Sequence, residues 1–323
     1  MPLWVRKNSI IVCLILSGAV SYGQGFFSTP DSLNKSRRMI NIAGQGTLYA
    51  STLMALNFAW YSEYQNGTFY FFNDWPGWMQ MDKFGHSAAA YQTASNLYRF
   101  NRWTGAREKQ SLWGAVAVGY SYQLAVEMLD GFSEGWGFSV YDVAFNTIGT
   151  GAFFLQQQLW KEQRVKLKFS FSPSGLTRIN ADGSNAIEAQ RAQRLFGTGI
   201  QEQWLKDYNG QTYWVSVNLW STLGKPNGFP KWLNVAVGHS VNNVLGAESN
   251  TWEIETTDQG MDTYTSSYQR QRQVLLSLDL DLDQVDLPKY LVWLRPVVGV
   301  IKLPFPSLEW NPGAGLRARA LYF

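Results

Sequence analysis

Cysteine is almost missing from this chain: of 323 residues only Cys13 carries a thiol. Histidine is nearly as scarce, with two residues in all. Neither sign of charge is in excess, with 27 Lys and Arg against 24 Asp and Glu. That balance removes the electrostatic case for nucleic acid as a partner. No internal repeat, low-complexity tract or HExxH metal signature occurs. No apolar run reaches the roughly 20 residues that a membrane-crossing helix needs.

The N-terminus predicts a secretory leader. Residues 1–8 carry Arg6 and Lys7 and no acid, and residues 9–20 are almost unbroken apolar sequence. Ser21 and Gly23 then place small residues before Gln24. Charged head, short apolar middle and small-residue exit are the three parts of such a leader. Cys13 follows Ile-Ile-Val, where a lipid-anchor signal needs a small residue, so no lipid anchor is expected. With residues 1–23 removed the chain keeps no cysteine, which excludes disulfides and thiolate metal sites. Lys and Arg fall from 27 to 25 against 24 acids. An exported protein of a Gram-negative-type envelope is expected, in the outer membrane or the periplasm.

Aromatic residues are abundant, at 15% with 15 Trp and 16 Tyr. Trp and Tyr favour places where one end is apolar and the other wet, and membrane surfaces are such places. Helical patterns occupy residues 39–61, 82–103, 112–129 and 138–160, punctuated by Gly105, Gly131 and Gly135. Such lengths reach about 27–35 Å at 1.5 Å per residue. Each segment nevertheless carries polar residues, and the mean hydropathy is −0.20. A bundle that sits at a membrane, or is shielded by one, is expected.

After residue 161 the apolar period becomes two. Residues 165–172 and 213–219 alternate cleanly. Val274, Leu276, Leu278, Leu280 and Leu282 share one face, with Ser277, Asp279, Asp281 and Asp283 on the other. Residues 233–241, 290–301 and 315–323 are further strand candidates, and 242–271 reads as a long exposed loop. The fold class is therefore α+β: a four-helix bundle-like domain over 24–161, then an antiparallel β domain over 162–323. A terminal Phe323 after an alternating strand leaves a small outer-membrane-type barrel or half-barrel open for the β domain.

The chemistry lies in the helical half. Asp82 and His86 stand at i and i+4 on one helix face, as do Asp142 and Asn146; Glu127 and Asp130 stand at i and i+3. Short joins make neighbouring helices antiparallel, which gathers these residues at one end of the bundle. His86 is expected within hydrogen-bond or one-water reach of Asp82, Glu127 or Asp142. Buried carboxylates are costly unless paired. Three uses stay open: acid/base work by His86 with a carboxylate, a divalent metal held by His86, Asp82, Glu127 and Asp142, and a structural polar network.

Three blocks, Asp82-Lys83-Phe84-Gly85-His86, Glu127-Met-Leu-Asp130-Gly131-Phe-Ser133 and Asp142-Val-Ala-Phe-Asn146-Thr-Ile-Gly149, resemble a bacterial envelope family that includes the YfiM-like predicted lipoproteins. In the same order they look more distantly like the VanZ-like membrane proteins, without the Arg usual before the Asp block. The resemblance covers residues 40–160, and the β half looks like what accompanies this domain in longer Bacteroidetes-type members. It adds Lys83, Asp130, Ser133 and Asn146 as ligand or network candidates beside His86, Asp82, Glu127 and Asp142. It implies an envelope location and no reaction or cofactor. Two functions follow: a structural or assembly protein of the envelope, or an envelope enzyme or binding protein acting on a lipid or glycan through the His86 cluster. Expressed with its own N-terminus in a suitable host, the chain should begin at Gln24 on N-terminal sequencing; Met1 on the mature protein would remove the leader.

Overall fold

The computed structural model describes residues 25–58, 67–255 and 260–323. The leader, with Cys13, lies outside the described residues. The helices fall close to where the apolar periods predict them: α1 (Lys35–Leu56), α2 (Met81–Trp103), α3 (Glu108–Gly131) and α4 (Val140–Trp160). Local chemistry starts two of them. Asn34 caps α1 by accepting from Arg37 N at 3.0 Å, and Ser139 caps α4 by accepting from Asp142 N at 3.1 Å. Such caps satisfy amide groups that the first helical turn leaves free. Close approach then needs glycine. A Cβ at Gly149 of α4 would lie 2.0 Å from Ser87 O of α2, so the two backbones touch there.

Tyr91, Ala94, Leu112 and Phe153 form the apolar core of α2, α3 and α4. Helix α1 buries no residue. It leans on α2 through polar contacts, Asn41 to Asn101 at 2.9 Å and Gln45 to Asn101 at 3.0 Å.

The second half supplies strands β1 (Val165–Phe171), β2 (Gln211–Asn218), β3 (Leu233–Asn242), β4 (Thr251–Glu255), β5 (Met261–Thr265), β6 (Gln271–Leu280), β7 (Phe305–Asn311) and β8 (Gly315–Tyr322). Six make one sheet in the order β1-β2-β3-β6-β7-β8, and β4 pairs with β5. All the strand pairs are antiparallel.

Two sequence expectations are corrected. Residues 290–301 are no strand: they form a 3-10 helix (Lys289–Leu294) and a helical turn (Arg295–Val298). Pro288 precedes the first and Pro296 opens the second; proline lacks the N–H that a ladder needs and its φ suits a helix start. Residues 242–271 are no loose loop. They hold the β4–β5 hairpin, and their Leu245 is fully buried against Ala192 and Phe196 of α5 (Ala186–Phe196).

The sheet curls without closing. In a flat sheet β2 and β8, four places apart, would be about 19 Å from each other at 4.8 Å per strand. Instead the Trp214 and Tyr322 rings lie 6.0 Å apart, and Lys168 of β1 meets Asp279 of β6 at 2.6 Å. Among the described residues β1 and β8 remain the sheet's edges. Among the described residues the sheet is curled and does not close into a barrel.

The polarity of this sheet is reversed. Lys168, Ser216, Asn234, Asp279 and Glu309 are buried inside the curl. Outside, Val215, Val237, Leu276 and Leu308 stand in register across four strands and are 42%, 49%, 47% and 45% exposed. The helices share the reversal: Gln123, Glu127, Asn146, Gln156 and Gln157 are buried, whereas Trp113, Met128, Ile148, Leu155 and Leu159 are exposed.

One ion-pair cluster ties helix to sheet. Arg99 of α2 grips Asp283 at 2.8 and 2.6 Å, and Lys166 of β1 meets the same carboxylate at 2.7 Å. Burial alone would raise the Asp283 carboxyl, but the Arg99 guanidinium and the Lys166 ammonium hold it well below the usual range. Its stabilisation is thus present at neutral pH and lost as acid titrates the group. Asp283→Asn should cost about 1.5–3 kcal/mol at pH 7, the range for hydrogen bonds to charged groups. Guanidinium titrations should show that deficit shrinking below about pH 4; an equal deficit at both pH values would contradict the pairing.

Candidate functional site

Asp82 and Lys83 sit in the first turn of α2, and the chain reaches that turn through strained backbone. Trp78, Met79 and Gln80 adopt φ of 48°, 53° and 62°. For residues with a Cβ such a conformation costs about 1–2 kcal/mol each. Partners hold it in place: Trp78 N donates to Ala247 O at 2.7 Å, Arg272 donates to Met79 O at 2.8 Å, and a second Arg272 nitrogen donates to Gln80 Oε1.

The strained entry delivers Lys83 into a ring of acids. Its Nζ is 2.9 Å from Asp82 and 2.7 Å from Asp142, with Asp74 also bonded. The side chain is fully buried. Burial alone would lower its affinity for a proton, but the carboxylates of Asp82 and Asp142 outweigh that and raise it, so Lys83 stays charged. Ser139, the cap of α4, donates to the other oxygen of Asp74 at 2.6 Å.

His86 lies one turn further along α2, with its side chain 24% exposed. Its Nδ1 is 3.3 Å from Glu127 Oε1 and its Nε2 is 3.6 Å from Asp142 Oδ1. Asn146 Nδ2 donates to the same Glu127 oxygen at 3.2 Å. Burial, reinforced by the charges of Asp142 and Asp130, pushes Glu127 up to about 9. Burial also raises Asp142, helped by its bond to Asp74, whereas that same bond, with those from Lys83 and Ser139, overcomes burial at Asp74 and keeps it low. A half-open imidazole between two carboxylates can accept, donate or relay a proton, and can also ligate a metal.

Lys83, His86, Asp82, Glu127, Asp142 and Asn146 therefore converge at one end of the bundle. Ser133 and Asp130 build the turn after α3. Ser133 Oγ accepts from Gly135 N at 3.4 Å, and Asp130 O accepts from Gly137 N at 2.9 Å. Sequence reasoning missed two participants, Asp74 and Ser139, and one neighbour, His239. Asp74 lies in the aromatic loop that precedes α2 (described over 67–80), where helical spacing has no reach. Ser139 was visible as Ser-x-x-Asp before an apolar run, an N-terminal capping pattern. His239 comes from β3 and stacks on Phe84 at 4.6 Å; burial, helped by Arg272, lowers it to about 4.

Residues 71–158 match the family model described as a predicted periplasmic lipoprotein (DUF2279). That span begins just before Asp74 and runs into the last turn of α4, so every member of the Lys83 and His86 clusters lies inside it. The description agrees with export to the cell envelope and gives no activity. No curated protein and no solved structure matches the chain.

Lys83→Met should cost about 3–5 kcal/mol, the range for breaking a buried ion pair from one side. The loss should be smaller at pH 4 than at pH 7, because acid neutralises the carboxylates that the ammonium leaves behind. Thermal melts at the two pH values check this, and a neutral substitution would show that the ring does not hold the bundle end together.

Proposed function

We propose that this is an outer-membrane-associated envelope protein with a structural or assembly role, seated in lipid along its apolar outer faces. One observation carries the reading: sheet and helices alike expose rows of apolar side chains while many polar ones are buried beside the apolar clusters. Water drives the opposite arrangement, and soluble monomers rarely expose large contiguous apolar patches. The row of Val215, Val237, Leu276 and Leu308 crosses four strands, about 14 Å at 4.8 Å per strand. Val274 and Trp310 lie beside it in register and are 41% and 51% exposed. Hydrocarbon is the solvent in which an apolar-out, polar-in sheet is stable.

Among the described residues no helix is long and apolar enough to cross a membrane. The bundle is accordingly read as lying against lipid. Exposed Trp113, Trp160 and Trp310 suit the interfacial zone, where indole is enriched. The likeness of the Asp82–His86 and Asp142–Gly149 blocks to YfiM-like and VanZ-like proteins supports the same envelope setting. A second reading, chemistry on an envelope lipid or glycan at His86, is favoured by Glu127 Oε2 and Asn146 Oδ1, which are buried without hydrogen-bond partners.

The lipid reading predicts that the purified protein needs detergent and that its Trp fluorescence is quenched by brominated phosphatidylcholine. Leu276→Arg or Leu308→Arg should then destabilise the lipid-bound protein by about 2–4 kcal/mol, as arginine does on the lipid face of a barrel. At a water-facing position the same change stays within about 0.5 kcal/mol. Monodisperse protein in plain buffer, with both variants unaltered, would end the reading.

A further inference from the structure

The two acid groups at the bundle end differ in one respect. Asp74, Asp82 and Asp142 already surround a cation, the ammonium of Lys83. His86, Glu127 and Asp142 can each offer a ligand atom such that all three lie within 4.8 Å of one another. Lys83 reaches this second group only at Asp142, which the two groups share. We propose that His86, Glu127 and Asp142 hold a divalent transition-metal ion, zinc by ligand type. The proposal is independent of the lipid reading.

One pair of ligand atoms already has a spacing that zinc accepts. Nitrogen and oxygen ligands bind it at about 2.0–2.2 Å in tetrahedral geometry. Neighbouring ligand atoms then lie about 3.3–3.5 Å apart by the same bond lengths. His86 Nδ1 and Glu127 Oε1 stand at 3.3 Å. One imidazole with two carboxylates and no thiolate is a borderline donor set that suits zinc better than magnesium or calcium, which prefer oxygen alone.

A second observation points to a ligand. The Glu127 side chain is 1% exposed, and its Oε2 has no hydrogen-bond partner. Asn146, fully buried beside it and bonded to Glu127 Oε1, likewise leaves Oδ1 without a partner. A buried acceptor left unmet costs its full desolvation, so two together call for an occupant. Lys83 holds Asp142 Oδ1 at 2.7 Å, fixing that carboxylate as an outer-shell partner does. His86 is the partly exposed member, which gives an ion its way in. Three protein ligands leave a fourth tetrahedral position open, the arrangement of zinc sites that bind water or substrate.

The test uses the full chain in detergent, stripped with chelator and titrated with zinc against a chromophoric indicator. One zinc per chain should bind at micromolar concentration or below, and should raise the melting temperature. Glu127→Gln keeps the shape of the side chain and should fold, yet it and His86→Gln should each weaken binding by about 100-fold, the upper range for lost metal-site support. Lys109→Ala, exposed in the first turn of α3 at the end opposite Glu127, should bind as the wild type does. Absence of zinc uptake by the wild type overturns the proposal. So does equal affinity in Glu127→Gln and His86→Gln, or magnesium and calcium competing with zinc on equal terms.

Discussion

A fully buried ammonium fixes the end of the helical bundle. Lys83 cannot lie in a dry interior without counter-charges, because an isolated buried ion costs far more than a fold's net stability. Its partners come from three places: Asp74 from the aromatic loop, Asp82 from α2 and Asp142 from α4. Meeting them forces the loop onto the helix end and sets the rotation of α4. Ser139 joins the same arrangement by capping α4 and bonding Asp74. The strained turn at Trp78, Met79 and Gln80 follows, since it brings α2 to the ring. His86 of α2 and Asp142 of α4 then face each other because the two helices are already locked, with Gly149 letting their backbones meet.

The β domain solves the same problem by connecting its polar groups. Lys168 meets Asp279, which accepts from Ser216 at 2.6 Å. Ser216 in turn accepts from Asn234 at 2.9 Å, and Asn234 accepts from Asn218 at 2.8 Å. Buried networks of this kind are weak evidence for stability in water, where apolar substitutes of equal volume often do as well. They make sense where the apolar side chains are needed outside. Alternation along β6 places Leu276 and Leu278 outward and Ser277 and Asp279 inward, so one strand carries two faces of opposite polarity.

Much of this was legible in the sequence. Period 3.6 and period 2 separated the halves at residue 161, and i, i+4 spacing brought Asp82, His86, Asp142 and Asn146 to one end. Direction of burial was not legible, because alternation says that the two faces differ without saying which is inside. The pairing of Arg99 with Asp283 was beyond reach, since 184 positions separate them. Asp74 hid in a loop without period. The Tyr-Leu-Val-Trp-Leu run after Pro288 looked like a strand because short apolar runs carry no period of their own; the flanking prolines decided it as helical. Helix α5 was missed for its length, 11 residues between strands.

Helix α2 links the two unusual features. One side carries Lys83 and His86 into the acid clusters, and the other lays Gly85 against Tyr213 and sends the Gln92 amide to Leu167 O. Any lipid around α3 and α4 would surround the acids with low dielectric on two sides. Coulomb energies scale inversely with that dielectric, so every satisfied pair strengthens and every unsatisfied carboxylate becomes costlier. Four carboxyl groups share the bundle end with one ammonium and one partly open imidazole. A lipid-shielded bundle would therefore keep Glu127 protonated and neutral, and a cation entering at His86 would have to displace that proton.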